Sequence, residues 1–366
     1  MLKCTYDVPT LPLKLDLETK PVLKATLAAY RALSDLRREA ARVPNQGILV
    51  DTLSLQEAKA SSEIESYVTT QDEVFRIGPS ESKTLGPNQK EVARYRDSLW
   101  VGHRNLIESN GLITNNSLIK MFQTLKKNTG GFRSTPGTKL ANEFTQHVVY
   151  VPPQANGQIT TLMTNLEAFV NNDELCDWDP LIKMAVIHHQ FESIHPFSDG
   201  NGRIGRILNV LYLVQQGLLD IPILYLSRYI TQTKEEYYDL LQSVRDRGNW
   251  EDWLLYMIEG VAATAAETTL LLRGINVLLI EFKNIMREEH SKIYSHELLN
   301  TMFRHPYTKI EYVTSETGVS RQTAARHLDE LADAGLVEKI KRGRENYYVN
   351  IRLVELFSNR PTMIRP

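Results

Sequence analysis

His195-Pro-Phe-Ser-Asp-Gly-Asn-Gly-Arg-Ile-Gly-Arg206 places a base, a carboxylate, a glycine turn and two arginines in one short stretch. Its flanks decide what kind of connection it is, and with that the fold. Upstream, Asp179 can N-cap a helix and Pro180 can occupy its first position. Ile182, Ala185, Val186 and His189 then recur at helical spacing, so an amphipathic helix runs from there and stops near His195. Downstream, Ile207, Leu208, Val210, Leu211, Leu213 and Val214 are too dense for a solvent-exposed strand, and Gly217 is placed to end a helix of about four turns. The stretch therefore joins two helices. On paper Gly200-Asn-Gly-Arg-Ile-Gly205 satisfies the dinucleotide pattern GxGxxG, but that pattern has physical meaning only after a buried strand, and none precedes it. What survives is local. A glycine turn at a helix N-terminus exposes backbone amides and the positive end of the helix dipole, which together bind phosphate.

The same residues resemble the signature of the Fic (Fic/Doc) family, HxFx(D/E)GNGRxxR, with His195, Phe197, Asp199, Gly200, Asn201, Gly202, Arg203 and Arg206 in the specified places. The resemblance implies a mainly α fold: a Fic-type helical core with one β-hairpin flap. It also implies transfer of AMP from ATP to a protein hydroxyl. The chemistry of the residues agrees. His195 is suited to take a proton from a Ser, Thr or Tyr hydroxyl. Asp199 offers hard oxygens to a Mg²⁺ that draws its other ligands largely from phosphates. The amides around Gly200, Asn201 and Gly202 would stabilise charge on the α-phosphate. Arg203 and Arg206, one turn apart, can reach the β and γ phosphates. Phe197 reads as a core anchor, and His188 and His189 as structural histidines. A zinc site from His188, Glu192 and His195 lacks the HExxH pattern. A purely structural loop is a poor reading, because two arginines, an aspartate and three glycines are poor core material.

Far upstream, Ser61-Ser62-Glu63-Ile64-Glu65-Ser66 resembles the inhibitory motif (S/T)xxxE(G/N) of autoinhibited Fic proteins, with Ser61 and Glu65 in the fixed places and Ser66 departing from the usual Gly or Asn. A carboxylate brought to Arg206 would neutralise the charge meant for the γ-phosphate. The bland alternative is a helix turn with an exposed glutamate. Thr145 to Pro153 is β-branched and aromatic and reads as a hairpin arm. The resemblance makes it the flap that registers a target segment by strand addition, with Val148, Val149 and Tyr150 as contacts, and makes Gly131-Phe-Arg133 the approach to it. A plain edge hairpin is the alternative. Tyr237 and Tyr238 follow a helix start at which Thr233 caps and Glu236 completes a capping box. By resemblance one of this pair borders the adenine; otherwise the two are an aromatic packing pair.

The C-terminal portion changes character. A short helix from Ile310 to Thr317 ends at Gly318, Ser320 caps a second running to about Ala334, and Gly335 closes it. Val337–Ile340 and Tyr347–Val349 alternate as strands around the basic tip Lys341 to Arg344. The order resembles a winged helix-turn-helix. It would bring Arg321, Gln322 and His327 to a DNA groove, or serve as a scaffold; residues 291–366 carry 12 Lys and Arg against 9 Asp and Glu, a mild excess for nucleic acid. The formal charge of −2 argues against a wholly basic nucleic-acid binder. Two cysteines without a CxxC suit a reducing cytoplasm, and no secretory leader or membrane-spanning run is read from the sequence.

The expected organisation is an N-terminal helical segment over 1–94, a Fic core over 95–266, a helical connector over 267–290 and a winged helix-turn-helix over 291–366. The expected function is protein adenylylation restrained by Glu65, with ATP and a hydroxyl-bearing protein as partners. Homodimerisation and self-modification are implied by the resemblance. Removal of AMP, transfer of another phosphate-linked group, and a nucleotide-sensing DNA-binding regulator stand as alternatives.

Overall fold

The computed structural model describes residues 6–78, 85–141, 147–342 and 345–358. Helices α1 (Lys20–Ala40), α2 (Gln46–Ile64), α3 (Gln71–Phe75), α4 (Pro87–Glu108) and α5 (Asn115–Lys126) precede a small antiparallel pair, β1 (Leu140–Ala141) and β2 (Val148–Tyr150). Helices α6 (Asn156–Asn171), α7 (Pro180–Ile194), α8 (Asn201–Gln215), α9 (Leu226–Gln232), α10 (Lys234–Arg247) and α11 (Trp250–Glu289) follow. The chain continues through α12 (His296–Arg304), β3 (Tyr307–Thr308), α13 (Ile310–Thr317), α14 (Arg321–Asp333), β4 (Glu338–Arg342), β5 (Glu345–Val349) and α15 (Ile351–Ser358).

Helix α7 is the axis of the core. Every residue from Leu181 to Ile194 is buried, which is what a helix packed on all sides requires. Asp179 caps it by accepting from the Leu181 amide at 2.8 Å, and Pro180 opens it. Helix α8 returns against it, so the motif stretch does connect two helices. Helix α2 packs between α4 and α9 and also touches α12, while α1 lies along α11.

Several expectations change. The boundary at 94/95 falls inside α4, and the one at 266/267 falls inside α11. The expected connector is therefore the second half of a continuous helix that also packs on α15. By length and composition α11 would pass for a membrane span, which the sequence reading did not find; half of its most apolar window is buried inside the protein, as in a core helix. The capping box at Thr233 is not formed. Thr233 has no side-chain cap bond, and its hydroxyl donates to the Tyr229 carbonyl at 2.8 Å instead.

At the C-terminus α13 ends at Gly318 (φ 73°), and Ser320 caps α14 by accepting from the Thr323 amide. Strands β4 and β5 form the hairpin, and its tip residues 343–344 lie outside the described residues. Three further pieces complete the domain: α12, β3, which pairs with β5, and α15, whose Phe357 packs on Phe75 of α3 at 5.1 Å.

Candidate active site

The loop between α7 and α8 is set by two left-handed residues. His195 closes α7 at φ 50° and ψ 59°, and Gly200 opens α8 at φ 80°. Between them the Asn201 side chain grips Phe197 at both ends: the Phe197 amide donates to Oδ1 and Nδ2 donates to the Phe197 carbonyl, each at 2.8 Å. The Asn201 side chain is thus engaged at both its oxygen and its nitrogen. Phe197 is buried and stacked on Phe122, rings 4.3 Å apart, so it anchors the loop as expected of a core residue. His195 is partly exposed, with Nδ1 buried. Burial, with the guanidinium groups of Arg133 and Arg245, pushes its pKa down to about 4 against the opposing pull of Glu65. The imidazole is thus neutral at pH 7.

Arg206 is 1% exposed and committed to α2. Its Nε donates to the Ser61 hydroxyl at 2.8 Å, and its Nη2 donates to the Ser61 carbonyl at 3.0 Å and to Glu65 Oε1 at 2.9 Å. Burial is the largest influence and works against its charge, but Glu65 together with Tyr237, Tyr95 and Tyr238 outweighs it and holds the pKa above the ordinary guanidinium value. A Cβ on Gly202 would meet Glu65 Oε1 at 2.7 Å and Arg206 Nη1 at 2.9 Å, so the carboxylate rests against the first turn of α8 itself. Glu65 reaches this place because α2 ends there. The Ser66 amide donates to the Glu63 carbonyl and the Tyr67 amide to the Ser62 carbonyl, each at 3.0 Å. That is a Schellman termination, and it puts Ser66 at φ 67°.

The second arginine has a different partner. Arg203, also 1% exposed, is paired with Glu91 of α4 and sits 5.3 Å over the Tyr67 ring. Asp199 is 59% exposed and paired with Lys126, with Arg203 at 4.0 Å. Burial would raise its pKa, and these cations hold the carboxyl below the usual range. The tyrosine pair divides. Tyr237 is buried and bonded to His188 Nε2 at 2.8 Å, whereas Tyr238 is 43% exposed, its ring edge-on to Tyr237. The flap divides too. Val149 is exposed and Val148 half-buried, but Tyr150 turns inward, donating its hydroxyl to the Ser193 carbonyl at 2.7 Å beneath the Arg245 guanidinium. Tyr150 and Tyr237 are therefore anchors, because each buried hydroxyl takes a partner inside the core. The first two residues of the expected arm, 145 and 146, lie outside the described residues.

Three family models match successive parts of the chain: Fic/DOC family N-terminal over residues 23–104, Fic/DOC family over 112–213, and the C-terminal domain of SoFic-like protein adenylyltransferase over 278–353. The chain is a Fic/DOC family protein. It is 28% identical over 191 residues to a probable protein adenylyltransferase of Aquifex aeolicus, covering 51% of this chain and 56% of that protein. It is 34% identical over 103 residues to protein adenylyltransferase Fic of Aedes aegypti, covering 27% and 19%. The chain thus spans little more than half the length of the first relative and about a fifth of the second. In fold it is similar to a Fic family protein from Desulfovibrio desulfuricans, with a TM-score of 0.56 at 18% identity over 93% of this chain and 97% of that one. Fic-1 from C. elegans aligns with a TM-score of 0.51 at 19% identity, over 70% and 74%.

Several residues that shape this Fic site were not read from the sequence. Glu57 is buried on α2, accepting from the Tyr95 hydroxyl at 2.9 Å and from Ser227; burial pushes its carboxyl up. Its signal was available, since Glu57, Ser61 and Glu65 recur every four residues on one helical face. Glu192 is buried one turn before His195, with one oxygen unpartnered, and burial pushes it up to about 7. Glu91 and Arg245 carried no local signal. Their roles arise only when distant helices meet.

Proposed function

We propose that the protein transfers AMP from ATP to a Ser, Thr or Tyr hydroxyl of a target protein, and that Glu65 restrains the transfer by holding Arg206. One observation carries the reading: the guanidinium one turn into α8 is bonded by Ser61 and Glu65 at the amide-lined place where a triphosphate would lie. The names of the curated relatives support the activity. In the reaction the target oxygen attacks the α-phosphorus, its proton passes to His195, and the bond to the β-phosphate breaks to release pyrophosphate. With Nδ1 buried, Nε2 is the nitrogen left to receive the proton. The α8 amides, positioned by the left-handed Gly200, take the charge that grows on the α-phosphate oxygens. Arg206, once released, holds the outermost phosphate.

Asp199 presents one exposed hard carboxylate at the mouth of the loop, which fits a Mg²⁺ ion that takes most of its ligands from phosphates and water. Bound there, the ion would neutralise phosphate charge. Of the tyrosine pair, the exposed Tyr238 is the one that would border the base. Val148 and Val149 are placed to register the target strand.

The test is labelled ATP with Mg²⁺, followed by mass spectrometry to separate AMP from phosphate addition. Glu65→Gly is expected to raise transfer at least tenfold by freeing Arg206, and His195→Ala to abolish it. Equal or lower transfer in the glycine variant would reject the restraint, and label retained by the alanine variant would reject the base.

A further inference from the structure

Arg133 lies in the segment between α5 and β1, is 6% exposed, and pairs with no carboxylate among the described residues. A buried guanidinium without a counter-charge is costly unless its donors are used. Here Nε and Nη2 are used on backbone, while Nη1 is buried without a partner among the described residues. Nε donates to the His195 carbonyl at 2.8 Å, and Nη2 donates to the Pro153 carbonyl and, at 3.4 Å, to the Ile194 carbonyl; the Arg133 amide donates to the Pro196 carbonyl at 2.8 Å. Three things therefore meet on one side chain: the end of α7, the backbone of the proton-accepting histidine, and the segment just after the flap strand.

We propose that Arg133 is the positioning residue of this site, capping α7 from outside the helix, fixing the left-handed turn that aims His195, and fastening the flap to that same turn. The inference rests on His195 being the proton acceptor.

The physical need for it is plain. The last carbonyls of a helix have no partner within it and carry the negative end of the dipole, so a cation there is well placed. A residue with a side chain at φ 50° is strained and holds that shape only if something outside insists on it. The planar guanidinium can bond two neighbouring carbonyls at fixed angles; an ammonium cannot reproduce that fork. Tyr150 supplies a second tie from the flap, on the preceding carbonyl of Ser193. The charged groups around the imidazole are Arg133 itself, Arg245 from α10 and Glu65 from α2.

Charge and fork are separable by substitution. Arg133→Lys keeps the charge and loses the fork; Arg133→Met loses both. In the Glu65→Gly background, both variants are expected to lower kcat on the order of tenfold or more. ATP affinity by calorimetry is expected to stay within about twofold, because Arg133 contacts no residue of the α8 N-terminus. His195, followed by histidine-selective NMR titration, is expected to titrate about one unit higher in the Met variant and to stay put in the Lys variant. The titration needs no turnover, so it judges Arg133 even if AMP transfer itself is absent. If the Met variant fails to fold, the split between kcat and ATP affinity in the Lys variant decides. Unchanged kcat in the Lys variant, ATP affinity lost in step with kcat, or a His195 titration identical in wild type and the Met variant would each overturn the proposal.

Discussion

Ser66 shows how one position carries a regulatory contact. It stands at φ 67° in the left-handed turn that ends α2, where a side chain is strained and glycine is not. The family pattern of Gly or Asn at this place follows from that geometry, and the serine departure is a local weakness. Ser66→Gly is expected to stabilise the fold by about 1 kcal/mol. By firming the turn that presents Glu65, it should also lower basal AMP transfer; urea unfolding and a transfer assay check the two effects together. At this scale the motif from His195 to Arg206 was legible because its parts are contiguous, and Glu65 because Ser61 stands four residues before it in the spacing of the inhibitory motif. The division between Tyr237 and Tyr238 was not. Adjacent helical residues point in different directions, and only the bond to His188 shows which one turns into the core.

Among the elements, the flap is held more firmly than a two-residue strand pairing would suggest. Tyr150 ties it to α7 through the Ser193 carbonyl, with the Arg245 guanidinium 4.0 Å from the ring. Tyr150→Phe keeps the ring and removes the bond. It is expected to cost about 1 kcal/mol of stability and to raise KM for the target while leaving ATP affinity alone, measured by thermal unfolding and by transfer kinetics at varied target concentration. Helices α7, α8, α13 and α14 could be read ahead because caps, glycine stops and apolar spacing coincide there. Helix α11 could not be bounded. No proline interrupts it and its Gly260 and Gly274 are accommodated within the helix, so a domain boundary at 266 fell in its interior. Helix α12 escaped notice although Ser295 caps it by accepting from the Leu298 amide and Pro306 follows its end, because its apolar pattern spans only 9 residues.

At the scale of the whole molecule, the C-terminal domain grips the helix that carries Glu65. Arg304 of α12 donates to Asp51 on α2 at 2.8 Å, and Phe357 of α15 packs on α3 just beyond the inhibitory turn. Arg304→Ala is expected to loosen this grip and raise basal transfer severalfold while leaving the Glu65→Gly variant unaffected, a double-mutant comparison that separates docking from catalysis. Acid should unfold the protein early. His188 is buried and His195 and His305 are half-buried, with pKa values pushed down to about 3, 4 and 4, and His189 is pushed well down by its burial. Between about pH 6.5 and 4 the unfolded chain protonates these four groups and the native state does not, so their contribution to stability falls as pH falls. Glu192 and Glu57, pushed up by burial, act in the opposite sense. The melting temperature is expected to drop from pH 7 to pH 5; a rise over that interval would mean that the histidines are not held neutral. The central claim, that Glu65 and the outermost phosphate compete for Arg206, is tested most directly by calorimetric titration of wild type and Glu65→Gly with ATP and with ADP. The account predicts that the glycine variant binds ATP at least tenfold more tightly while ADP affinity stays nearly the same. An equal gain for both nucleotides, or none for ATP, would contradict it.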